Sequence, residues 1–190
     1  MVIMFDISLP ALALMAEVIL GLSSPMYAED YMYSNLVVEE EVHCLALNAY
    51  HEARGETFDE KLATSQVVMN RVLSTRYPNT VCGVITQGPI RESWKTKKNK
   101  ALDQQDRVYY PIRNRCQFSW YCDGRSDNVS NLDGWEDSVI AAHIVYTGYG
   151  EDIVHGATHY YAHEKVTPTW AGSMAVTTKL DGHTYLRVDE

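Results

Sequence analysis

The sequence predicts an α+β fold, with a helical lobe first and a small antiparallel β-sheet last. Three observations predict it. Apolar residues recur at helical spacing between Val42 and Leu73, β-prone or alternating runs occupy the last thirty or so residues, and Asp181-Gly182 separates two of those runs as a two-residue hairpin turn. At 190 residues, 46% apolar and 22% charged, the chain is long enough to bury one sizeable core and fits one domain plus a short appendage.

The elements follow in order. ISLPALALMAEVILGL (7–22) is an apolar run followed by SSPMYAED, which reads as a signal peptide cleaved after Ala28. The missing basic start, Asp6, the interrupting Glu17 and Met26 weaken that reading. The alternative is an apolar helix, so residues 1–41 are expected to be an N-terminal segment and linker, and 42–190 the main domain. Val42, Leu45, Ala46, Ala49 and Ala53 define a first helix, with Gly55 as its stop. Thr57 and Glu60 form a capping-box pattern that opens a second helix, ending near Leu73 before Tyr77-Pro78. Residues 88–115 are polar and basic without a period and read as a loop. A third helix is expected from about Gly134 to Thr147, closed by Gly148. Strands are expected at Thr158–His163, Met174–Leu180 and His183–Val188.

Charge is segregated. The net charge is −9, yet residues 91–115 hold eight of the sixteen basic residues against three acids, while residues 1–53 hold eight acids and no Lys or Arg. A pI near 5.2 argues against a general nucleic-acid binder. The basic stretch could meet an anionic polymer; the plainer reading is a solvated loop. No run of 18 apolar residues is present, so a membrane role is confined to the N-terminal signal or anchor. Thirteen Tyr and four Trp against three Phe suit wet surfaces and polar ligands. Cys44, Cys82, Cys116 and Cys122 lack zinc-site spacing and permit three disulfide connectivities. Cys116 and Cys122 are close enough to close a small loop, which would leave Cys44 with Cys82; four free thiols are the alternative.

Glu52 is the leading catalytic candidate. It projects from the apolar stripe in the last turn of the first helix, where desolvation and the negative end of the helix dipole both favour its protonated form, as a general acid requires. The structural alternative is an ion pair with Arg54 or Arg71. His51-Glu52 fails the H-E-x-x-H spacing, because position 55 is Gly. His155, His159 and His163 are spaced by four; on one strand they would span about 26 Å, too far for one ion. No metal and no cofactor is therefore expected. In QFSWYCDG (117–124), aromatic rings flanked by amide and hydroxyl groups suit sugar faces, or else form an apolar plug with a turn. No nucleophile elbow, phosphate loop or dinucleotide fingerprint occurs.

ALNAYHEARGE (46–56), VVMNRV (67–72), YPNTVCGVITQ (77–87), CQFSWYCDG (116–124), GATHYYA (156–162), the Pro168–Trp170 segment and HTY (183–185) together resemble the SleB/CwlJ-type cell wall hydrolases. The resemblance covers residues 42–188, in order. It implies a helical lobe akin to lysozymes and lytic transglycosylases, peptidoglycan as the partner, and cleavage between N-acetylmuramic acid and N-acetylglucosamine. It places the catalytic Glu at Glu52 and puts Gln117, Ser119, His159 and Tyr160 along the cleft. No stable protein partner is implied. Localisation is expected at the cell envelope through the N-terminal signal, or as a phage endolysin delivered at lysis. Residues 91–115 stand out as an insertion. One well-placed Glu favours a lytic transglycosylase with 1,6-anhydro products; a hydrolase would need a partner such as Glu56, Asp123, Asp127 or Glu136. The competing expectations are a metal-dependent cell wall peptidase or amidase at the histidines, and a non-catalytic glycan-binding module.

Overall fold

The computed structural model describes residues 25–188, so the apolar run at 7–22 lies outside the described residues. The chain divides into two compact units, Met1–Glu39 and Glu40–Glu190. Of the first, residues 25–39 are described and are helical. Among the described residues, no helix is long and apolar enough to cross a membrane.

Helix α1 runs from Pro25 to Glu52, well upstream of the start expected at Val42. The acidic stretch Glu39–Glu41 carries no apolar period, so spacing could not reveal this extension. Glu41 has a tertiary role instead: its carboxylate accepts the backbone N–H groups of Val81 and Cys82, capping the short helix α3 (Val81–Ile85). The Cys44–Cys82 disulfide joins α1 to α3 with Cα atoms 5.4 Å apart, and Cys116–Cys122 closes the small loop. Leu45, Ala46, Val68, Val81, Val84, Ile85, Phe118 and Ala142 form the main core.

Helix α2 (Phe58–Val72) starts on Thr57, whose hydroxyl accepts from Glu60 N. The capping box is only half made, because the Glu60 carboxylate turns inward to the sheet. Although α2 is central, many of its buried side chains are polar: Glu60, Thr64, Ser65, Gln66 and Arg71. They stay buried because each finds a partner. Gln66 Nε2 donates to Glu151 O (2.6 Å) while its Oε1 accepts from Ile153 N (3.0 Å). Asn70 Nδ2 donates to Ala157 O (3.0 Å) and Arg71 Nε to Thr158 O (2.7 Å). The helix thus grips the backbone of residues 151–158 and delivers the strand that follows.

The basic stretch is not a plain loop. It forms a two-stranded antiparallel ribbon, β1 (Ile90–Glu92) with β2 (Tyr109–Pro111), and the short helix α4 (Trp94–Lys98). Helix α5 (Leu132–Thr147) is capped by Asn131 and stopped by Gly148 at φ +73°. Tyr50 Oη accepts the N–H groups of Ser130 and Asn131, fixing the start of α5 against α1.

The last layer is a sheet in the order β3-β5-β4: His159–Ala162, His183–Arg187 and Ala175–Lys179, antiparallel throughout. The expected hairpin turn is present, with Leu180 N donating to His183 O (3.0 Å). Gly182 does not adopt a positive φ there. It serves close approach instead, since a Cβ would sit 2.9 Å from Glu56 Oε2.

Candidate active site

Glu52 is the last residue of α1, half-buried beside a cleft of about 480 Å³. The cleft is also lined by Arg71 of α2, by Gln117, Phe118 and Ser119, by His159 and Tyr160 of β3, and by Trp170 and Met174. All five residues singled out in the sequence, Glu52, Gln117, Ser119, His159 and Tyr160, therefore meet at one cleft. A larger depression of about 740 Å³ is lined by Asn70, Arg76, Tyr77, Thr158, Arg187 and neighbours. It holds no acid, histidine or cysteine, so the smaller cleft is where the acid–base chemistry can sit.

The α1 end is shaped by Gly55. The chain leaves the helix through Ala53 N to Ala49 O (3.0 Å) and Glu56 N to Ala53 O (3.1 Å), with Gly55 at φ +83°. A side chain there has space, so the requirement is conformational. Arg54 turns away from Glu52: its guanidinium donates to Ser130 Oγ (3.1 Å) and lies over the Tyr50 ring. The ion pair with Arg54, the structural alternative to a catalytic Glu52, is not formed. Glu52 instead accepts one side-chain hydrogen bond, from Tyr160 Oη to Oε2 at 3.0 Å.

Burial raises the Glu52 pKa above the ordinary carboxylate value; the Tyr160 hydrogen bond and the charges of His183 and Arg71 oppose it without cancelling it. Tyr160 is itself pushed well above the usual phenol value, by burial first and by Glu52 next, so it remains a donor. Burial, with Arg71 nearby, lowers the His159 pKa and favours the neutral imidazole; its Nδ1 shares a hydrogen bond with Thr158 Oγ1 (3.0 Å).

Arg71 was visible in the sequence only as a candidate ion-pair partner, and its place in the cleft comes from tertiary packing. Its guanidinium lies over both the Tyr77 and Phe118 rings, 5.4 and 5.2 Å from the centroids. Trp170, noted in the sequence only within the Pro168–Trp170 motif, and Met174 were not assigned to the cleft, since residues 169–173 form a 3₁₀ turn with no periodic signal.

Behind the cleft lies a second carboxylate that spacing read only as half of a cap. Glu60, 0% exposed, accepts from Gly182 N (2.7 Å), His183 N (3.1 Å) and Tyr185 Oη, and pairs with His183 Nδ1 (3.0 Å). Burial alone would raise its pKa, but the donors from His183, Tyr185 and Gly182 together bring it below the ordinary value. The His183 ring meets Tyr160 edge-on with centroids 5.3 Å apart, so this network backs the residue that touches Glu52.

Two other expectations change. In QFSWYCDG the apolar-plug reading holds for two rings: Phe118 is buried, and Trp120 stacks on His51 (4.6 Å) and donates to Asn48 Oδ1 (3.1 Å). The more exposed ring in the cleft is Trp170. Of the three spaced histidines, His155 lies in a turn at φ +50° outside β3, and His163 shares a hydrogen bond with Thr184 Oγ1 (3.3 Å). Among the described residues, no group of three His, Cys, Asp or Glu could hold a metal ion. Glu56, Asp123, Asp127 and Glu136 do not line the cleft.

A family profile described as Cell Wall Hydrolase matches residues 55–186, starting three residues after Glu52. Over 47 residues the chain is 40% identical to a spore cortex-lytic enzyme of Bacillus cereus, a stretch that is 25% of this chain and 18% of that protein. Over 45 residues it is 42% identical to a spore cortex-lytic enzyme of Bacillus subtilis strain 168, covering 24% and 15%. The matching stretches thus span less than a fifth of the curated relatives' own length. Among solved structures, the catalytic domain of the Bacillus cereus SleB protein superposes with a TM-score of 0.51 at 22% identity, over 78% of this chain and 91% of that one. The catalytic domain of a germination-specific lytic transglycosylase, SleB from Bacillus anthracis, gives 0.51 at 23%, over 77% and 93%. At these identities the likeness establishes the shared fold.

Proposed function

The chain belongs to the cell wall hydrolase family, and from that premise we propose that it cuts the glycan strand of peptidoglycan, acting at the cell envelope as a lytic transglycosylase. One observation carries the choice of mechanism: among the described residues, Glu52 is the only carboxylate lining the cleft. A hydrolase of the usual kind needs two carboxylates flanking the bond. A transglycosylase needs one, used twice.

In the first half-reaction the Glu52 carboxyl proton passes to the glycosidic oxygen, the C1–O bond of the muramoyl residue breaks, and positive charge develops at C1. In the second, the muramoyl 6-hydroxyl oxygen bonds to C1 and returns its proton to Glu52, restoring the acid and closing a 1,6-anhydro ring. Burial raises the Glu52 pKa and so favours the acid form needed at the start. Arg71 and the Tyr160 hydroxyl support the carboxylate that exists between the steps. With Tyr160 donating to Oε2, the proton is left to Oε1. Gln117, Ser119, His159 and the Trp170 ring supply polar and aromatic contacts for sugars.

Mass spectrometry of fragments released from purified sacculi tests this reading. Anhydro-muramoyl products that vanish in Glu52→Gln are expected. Reducing-end muramic acid would overturn the transglycosylase, and free peptides with intact glycan would overturn glycan cleavage altogether.

A further inference from the structure

The basic ribbon has a construction that the cleft chemistry does not use. Its legs are pinned together at the base: Gln117 N donates to Gln87 O (2.8 Å) and Ile112 N to Pro89 O (2.9 Å). Gly88 permits this approach, since a Cβ there would lie 3.0 Å from Cys116 Cα. Arg113 Nε donates to Asp123 O (2.9 Å), and the Cys116–Cys122 disulfide braces the same corner. Inside the arm, Arg107 pairs with Glu92 at 2.7 Å and Ser93 N donates to Val108 O at 2.7 Å. The arm is therefore a braced projection rooted at Gln117, a residue that also lines the cleft.

What it presents is cations and rings. Among the described residues, Arg107 is the only basic residue of 91–115 paired with a carboxylate. Arg91, Lys95, Lys97, Lys98, Lys100 and Arg115 are exposed. Trp94 (65% exposed) and Tyr110 (55%) stand out beside them, with Lys98 Nζ 4.8 Å from the Trp94 ring centre. A chain of net charge −9 that concentrates half its basic residues on one arm presents a locally positive surface there.

Resting on the peptidoglycan reading above, we propose that this arm binds the free carboxylates of the peptide stems on the strand that enters the cleft. Its root at the cleft decides the source. An arm that starts at Gln117 meets groups carried by the polymer being cut, rather than separate phosphate-bearing polymers of the wall. The exposed rings cover apolar parts of the same stems while the lysines meet their carboxylates.

The test uses the full chain carrying Glu52→Gln, so that sacculi stay whole, with and without Lys95→Glu, Lys97→Glu and Lys98→Glu together. Co-sedimentation with sacculi at low salt is expected to weaken about tenfold or more in the charge-reversed chain, and unreversed binding is expected to fall steeply as salt screens the charges. Binding is expected to survive removal of wall phosphopolymers by hydrofluoric acid and to be lost when sacculus carboxylates are amidated. In the chain with Glu52 intact, charge reversal is expected to leave turnover of a short peptide-free glycan within about twofold. Unchanged sedimentation after charge reversal would overturn the proposal. So would loss of binding on the hydrofluoric-acid-treated wall, which would assign the arm to phosphopolymers. Failure of the intact chain to cut any glycan would instead overturn the function proposed above and leave the sedimentation result standing by itself.

Discussion

Glu52 and Glu60 stand on either side of the turn between α1 and α2, and the same fold moves their acidities in opposite directions. Glu52 meets burial with a side-chain hydrogen-bond donor, Tyr160, and with Arg71 and His183 nearby; burial outweighs them and its pKa rises. Glu60 is buried as well, but two backbone N–H groups, a phenol and an imidazole converge on it, and the ionised form wins. The number of donors, more than burial, separates a carboxyl group of raised pKa from a structural anion. One glutamate is left under-satisfied beside a cleft, where chemistry can use it. The other is saturated behind the cleft, where it ties α2 to the β4–β5 turn.

The largest expected effect comes from removing the proposed proton donor. Glu52→Gln is expected to lower turnover on sacculi by about 10²–10⁴-fold, the usual worth of a general acid. Its stability should move the other way. Because the folded-state pKa is raised, the carboxyl group contributes stability in full below its unfolded pKa and loses it as pH rises through the folded value. Melting curves of Glu52→Gln and the parent chain should therefore diverge in the variant's favour above the ordinary carboxylate range. A variant that melts lower at neutral pH would show that Glu52 is held as an anion and would erase the contrast.

Glu60 tests the other half. Glu60→Ala leaves the His183 and Tyr185 donors unpaired in the interior, and denaturant unfolding is expected to show a loss of about 3–5 kcal/mol. The sign with pH is opposite to that of Glu52. A lowered folded-state pKa gives stability that is present above the unfolded pKa and disappears as pH falls through the folded one. The gap between parent and variant should therefore narrow in acid, below the ordinary carboxylate range. A gap that does not change with pH would mean that the four donors hold a neutral acid.

The smallest and sharpest change is Tyr160→Phe, which removes the one side-chain donor on Glu52. The alkaline limb of the pH–rate profile should move to higher pH, because an opposing influence on the raised pKa is gone. Turnover is expected to fall by about tenfold or less, and stability by about 1 kcal/mol, the net worth of one hydrogen bond. A limb that stays in place would show that Tyr160 does not set the acidity of Glu52.

Much of this was legible in the residues themselves. The apolar stripe through Leu45, Ala46, Ala49 and Ala53, the Thr57 cap, the Gly148 stop and the alternation of the last strands are local signals, and local sterics and hydrogen bonding decide them. Glu52 stood out for the same reason, as a carboxylate on an apolar face at a helix end. The ribbon within 88–115 and helix α3 were not legible, because residues distant in the chain stabilise them: Glu41 caps α3, and Arg107 pairs with Glu92.

What sequence alone determined, then, is the class of fold, the candidate acid and the family resemblance, since each depends on residues close together in the chain. What only the tertiary structure decided is which groups surround that acid. Arg71 enters the cleft because two rings and Thr158 O hold it there, Trp120 leaves the list of sugar platforms because Asn48 and His51 take it into the packing, and Glu60 becomes an anion because a distant hairpin brings four donors to it. Acidity and cleft geometry are sums over neighbours in space, and the linear order of residues does not contain that sum.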